Sequence, residues 1–205
     1  MLAGSSARRR PSFRARATDA KSPRAMTEIL APERASALLE NFRSWLVRLP
    51  KDVELLSSVL EGETVSRDDK VKLAAGLNYL LKSIDLIDDG IAGLGLLDDA
   101  FVLRLAVGRL SSEAPSELSE LRAESEVAVE FLGDLRGRFD AFLVSLEETR
   151  VRGRSPAEIA DDPAIASELI SELRSFAHRY ECPAFTNEPS SLVKLRAFLN
   201  AKLPT

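Results

Sequence analysis

Among 205 residues there is one cysteine, Cys182, and one histidine, His178. A lone cysteine excludes an intrachain disulfide and any Cys-rich zinc site, and fits a reducing compartment. The two residues stand four apart near an expected helix end, but a nucleophilic dyad also needs an orienting group and oxyanion donors. No catalytic role is assigned to them. Long apolar runs are missing too. A membrane span needs roughly 18 uninterrupted apolar residues, and the closest stretch, 84–110, is broken by five aspartates. It reads as core rather than as a lipid-facing helix. Gly-rich phosphate loops, Ser nucleophile elbows and metal-protease helices are absent from the sequence. So are alternating apolar and polar runs, which removes strands from the expectation.

The charges that are present are unevenly placed. The net charge of −4 favours solubility, and nucleic acid is not an expected partner. Residues 1–25 nevertheless carry Arg8, Arg9, Arg10, Arg14, Arg16, Lys21 and Arg24 against the single acid Asp19. That stretch has no helical or strand period, so a disordered basic tail is expected, with Met26 opening the folded part. An acid-poor organelle targeting peptide is a second use of such a tail, and a tether to nucleic acid or a membrane surface a third. A secretory signal is not expected, because no apolar stretch follows the arginines.

From Pro32 onward the pattern is helical. Ala35, Leu38, Leu39, Phe42, Trp45, Leu46 and Leu49 step by three and four, the spacing of one buried face. Pro32 suits the first turn. Pro50 is expected to end that helix and open a short second one over 51–61, closed by Gly62. Ser66, with Asp69 three residues on, predicts a capped third helix from Arg67 to about Ile84. A fourth is expected to start near Asp98, whose carboxylate would accept free N–H groups there. Its nearly all-apolar run from Ala100 to Leu110 marks a central helix.

Ser116 opens the longest periodic stretch. Leu121, Ala128, Leu135 and Phe142 recur every seven residues, with Leu118, Ser125, Leu132, Phe139 and Leu146 as companions. Such a seam serves a long helix packed on its own chain or a coiled-coil dimer; internal packing is the expectation. Arg150 to Arg154 forms a basic break. Ser155-Pro156 and Asp162-Pro163 each read as a cap followed by a first-turn proline, and a last helix starts at Ser190 or Ser191. The expected fold is all-α, a bundle of about six or seven helices with one long helix and no sheet. Ser111 to Pro115 is the candidate boundary between a helical domain over 26–111 and a C-terminal helical region over 112–205 packed on it.

The segment from Tyr79 to Asp99 carries Asp85, Asp88, Asp89, Asp98 and Asp99 among glycines and leucines. Tyr79, Leu80, Leu81, Asp85, Ile87, Asp89, Ile91, Gly95, Asp98 and Asp99 stand in an order that resembles the YkvA-like family, a bacterial domain of unknown function. The resemblance covers about 70–110. It departs from that family's pattern at three prolines, replaced here by Ser83, Asp88 and Ala92. Proline stiffens a connection, so this one is expected to be more mobile, or its third helix longer. The resemblance implies a helical domain, often membrane-associated in relatives, with no established reaction.

Asp98 and Asp99 suit a helix start, where the dipole favours acids. Asp85, Asp88 and Asp89 crowd near a helix end, where it does not. They would point into water, pair with Lys82, Arg104 or Arg109, or share Mg²⁺ or Ca²⁺. The candidate metal ligands are accordingly Asp85, Asp89, Asp98 and Asp99. The spacing excludes an EF-hand loop. The expected function is a non-enzymatic interaction or scaffold role in the cytoplasm, through a protein partner or self-association on a helix face, with no cofactor. A divalent-metal enzyme or metal-binding regulator built on the Asp-rich segment is the first alternative. Peripheral membrane attachment through the basic tail is the second.

Overall fold

The apolar stripe that begins at Ala35 builds the central element, helix α1, Pro32–Glu61, about 45 Å long. The computed structural model describes residues 31–82, 86–87, 91, 94–111 and 113–204. The expectations for the basic tail and Met26 lie outside the described residues, as do those for Ser83, Asp85, Asp88, Asp89 and Ala92. Pro50 does not end α1, contrary to expectation. A proline inside a helix leaves the carbonyl four residues back without its donor, here that of Leu46. The Tyr180 hydroxyl donates to that carbonyl at 2.7 Å. Leu49 and Val53, on either side of Pro50, stay buried on the same face, so the helix runs on.

Helix α2, Arg67–Tyr79, starts as expected, with the Asp69 N–H donating to the Ser66 hydroxyl at 3.2 Å. It stops at Tyr79 rather than near Ile84. The N–H groups of Leu81 and Lys82 bond to the carbonyls of Asn78 and Tyr79, a tightened last turn that ends the helix. Helix α3, Leu97–Gly108, is buried nearly all round, as its composition implies. The periodic stretch after Ser116 is interrupted. A 3₁₀ turn, Ser116–Leu118, leads into α4, Ser119–Leu132. A second, Gly133–Leu135, separates it from α5, Arg136–Glu148. Gly133 has φ +50°, a backbone region that glycine enters readily and a continuing helix does not.

Every seam residue from Leu118 to Leu146 is buried within its own chain. Ser125, the polar member, faces Gly108 across α3 and α4. A Cβ at Gly108 would lie 2.6 Å from the Ser125 hydroxyl oxygen. Two small residues thus let these helices approach closely, which accounts for both interruptions in otherwise apolar faces.

Helices α6, Pro156–Asp161, and α7, Pro163–Arg179, carry the two expected proline starts. Ser155 and Glu158 form a reciprocal capping box, and Asp162 accepts the Ala164 N–H at 2.8 Å. The basic break is an ordered turn closed by reciprocal Val151–Arg154 backbone bonds, with positive φ at Arg152 and Gly153. Helix α8, Pro189–Lys202, completes the fold. Among the described residues there is no named strand, and no helix is long and apolar enough to cross a membrane.

Helix α1 contacts α2, α3, α7 and α8. One cluster of buried apolar residues runs from Ala35 to Leu203, drawing on both sides of Ser111. Its centre is aromatic: Phe42 packs on Trp45 at 4.9 Å and on Phe101 and Phe131 at 5.1 Å.

Candidate functional site

The approach to α3 is a tight turn in which the N–H groups of Leu94 and Gly95 both bond to the Ile91 carbonyl. Leu96 follows with φ +63°, an unusual conformation for a branched residue. This reversal carries Leu97, Asp98 and Asp99 into the interior, where Asp98 is 0% and Asp99 3% exposed. Asp98 is therefore not the helix cap that its position suggested. The cap position is Leu96, with no side-chain cap bond. One Asp98 oxygen instead accepts the Tyr79 hydroxyl at 2.6 Å and the Ile87 N–H at 3.0 Å. The same hydroxyl accepts the Leu86 N–H at 2.8 Å.

This arrangement ties three chain segments together: the last residue of α2, the dipeptide Leu86-Ile87, and the first turn of α3. Burial, then the Asp98 charge and hydrogen bond, push the Tyr79 hydroxyl far above the ordinary tyrosine range. It remains a donor at any physiological pH. Phe142 meets the Tyr79 ring edge-on at 5.7 Å, and the Lys82 ammonium stands 5.6 Å from the ring centroid. Both Asp98 and Asp99 occupy the first turn of α3, so the helix dipole favours them.

Of the four candidate metal ligands, Asp98 and Asp99 are adjacent and buried, whereas Asp85 and Asp89 lie outside the described residues. Among the described residues, no group of three or more His, Cys, Asp or Glu side chains is placed to hold a metal.

Of the basic partners named for the acidic cluster, Arg104 and Arg109 pair with acids elsewhere. Arg104, wholly buried on α3, bonds Asp52 of α1 and Glu124 of α4, each at 2.8 Å. Its guanidinium stacks 4.5 Å from the Trp45 ring centroid. Arg48 joins the network through Glu120 and Glu124. Burial raises the Asp52 carboxyl above the ordinary aspartate range, and the Arg104 charge offsets this only in part. Burial likewise pulls Arg104 below the usual arginine range. Arg109 pairs with Glu147 at 2.7 Å. Asp52 and Glu124 carried no sequence signal as a pair, since they come from different helices.

Asp69 anchors the other end of α3. Its carboxylate accepts the Ser111 hydroxyl at 2.7 Å and the Lys72 ammonium at 3.0 Å. Burial pushes this carboxyl up, but the Ser111 and Lys72 bonds outweigh it and hold it below the ordinary value. His178 and Cys182 are both exposed, and the thiol reaches its neighbour's Pro183 carbonyl at 3.7 Å.

Asp69, Tyr79, Asp98 and Arg104 lie in one stretch of the sequence, while their partners reach from Asp52 to Glu124. A family described as a protein of unknown function, DUF1232, matches residues 69–105. The chain carries a domain of unknown function there. Comparison with curated proteins and with solved structures finds no match. Within residues 69–105, Asp69, Asn78, Tyr79, Asp98 and Arg104 are among the buried polar side chains, and each bonds inside the chain.

Proposed function

We propose that this chain is a non-enzymatic interaction or scaffold protein of the YkvA-like kind, working in the cytoplasm, and that its partner contacts the partly exposed residues Lys82 and Ile91 between α2 and α3. One observation carries the reading. Tyr79 and Asp98, the most reactive-looking groups of the segment, are 1% and 0% exposed, and they bond to one another and to the Leu86 and Ile87 N–H groups. Groups so buried shape a connection rather than touch a substrate.

A photo-crosslinking residue placed at Lys82 or Ile91 tests this, with Val193 on α8 as the comparison. Adducts at the first two positions that disappear with Tyr79→Phe are expected. Equal adducts at Val193, or none at Lys82 and Ile91, would contradict the proposal.

The metal reading on Asp85, Asp89, Asp98 and Asp99 has one observation in its favour: Asp98 and Asp99 are adjacent and buried in the first turn of α3. Titration with Mg²⁺, Mn²⁺ and Ca²⁺ decides it. A melting shift abolished by Asp89→Asn would support it, and no shift would refute it.

A further inference from the structure

A separate cavity of about 330 Å³ opens between the residues that follow α2 and the outer face of α7. Leu80, Leu81 and Phe176 supply apolar walls, and Arg152, Arg179 and Glu172 the charge. The charges do not balance. Glu172 bonds Arg152 at 2.6 Å and grips the buried Arg154 with both oxygens at 2.9 Å. One carboxylate thus faces two guanidinium groups. Arg179 adds a further positive charge, with its Nε donating to the Ser175 carbonyl at 3.1 Å. That bond engages Nε, and the terminal nitrogens of a guanidinium are a fork of the kind that grips a planar oxyanion.

An excess of positive charge beside apolar walls selects a ligand with both characters. We propose that this cavity binds a small amphiphilic oxyanion, its carboxylate or phosphate head on Arg179 and Arg152 and its apolar part against Leu80, Leu81 and Phe176. The volume lies at the small end of ligand pockets, suited to a medium-chain acid or ester. The site is independent of the interaction proposed for the α2–α3 connection, except that Leu80 and Leu81 directly follow Tyr79.

The test is calorimetric and NMR titration of the full chain with octanoate, octyl phosphate, 1-octanol and inorganic phosphate. Saturable binding of octanoate or octyl phosphate is expected, with amide shifts at Arg152 and Phe176. Octanol and inorganic phosphate should each bind about tenfold more weakly, since each lacks half of the recognised chemistry. Whichever of octanoate and octyl phosphate binds more tightly names the head group. Arg179→Gln, at an exposed position, should weaken that ligand by about tenfold with the melting temperature unchanged. Neither amphiphile saturating, octanol matching octanoate, or Arg179→Gln binding as the parent does would overturn the proposal. Inorganic phosphate binding as tightly as octyl phosphate would overturn it too, because the apolar walls would then contribute nothing.

Discussion

Tyr79 has one hydroxyl hydrogen and gives it to Asp98, while its oxygen receives the Leu86 N–H. Replacing it with phenylalanine keeps the ring on Phe142, leaves the Leu86 N–H without its acceptor and removes one of the bonds to Asp98. Tyr79→Phe should therefore lower stability by about 1–3 kcal/mol, read from urea denaturation. Asp69 offers a prediction in pH. Its folded-state value lies below the ordinary 3.8, so its contribution is present above that value and is lost as pH falls through the depressed one. Asp52 has the opposite sign: its folded value lies above 3.8, so its contribution is full below 3.8 and declines as pH rises through the raised value. Melting curves of Asp69→Asn and the parent should accordingly converge as the medium is made acidic. A gap that stays constant down to strong acid would deny Asp69 that role.

At the scale of elements, the helix stripes and the caps at Ser66, Ser155 and Asp162 were legible, because burial and capping are local and periodic. What failed to show was remote. Pro50 reads as a helix end because its compensating donor, Tyr180, lies 134 residues from Leu46. The heptad seam runs unbroken through Gly133, since spacing records which face is buried and not whether the backbone continues. Asp98 sits where a cap belongs, but sequence position does not say where the carboxylate aims, and Leu96 turns it inward. The partners of Arg104 come from two other helices. Two tests follow from these geometries. Tyr180→Phe should cost about 1–2 kcal/mol in the parent and clearly less beside Pro50→Ala, whose restored N–H takes the Leu46 carbonyl. Equal costs in a double-mutant cycle would mean that the hydroxyl does not replace the missing bond. Gly108→Ala should destabilise by about 1–3 kcal/mol through overpacking, and Ser125→Gly should recover part of it.

For the molecule as a whole, one apolar cluster joins residues before and after Ser111, so 26–111 and 112–205 are predicted to unfold together. The seam belongs to that cluster. Leu132→Ala should cost about 2–5 kcal/mol and leave the particle mass in light scattering equal to the parent's. A change of mass would place Leu132 in a contact between copies. Hydrogen exchange across the full chain tests most directly the claim that the Asp-rich segment serves to pin a connection. Amides in the core should exchange only on global unfolding. Leu86 and Ile87, outside any helix, should still be protected in the parent, and Tyr79→Phe should speed exchange at Leu86 about tenfold or more while α4 and α5 follow the global stability. Unprotected Leu86 and Ile87 amides in the parent, or no local change in Tyr79→Phe, would contradict it.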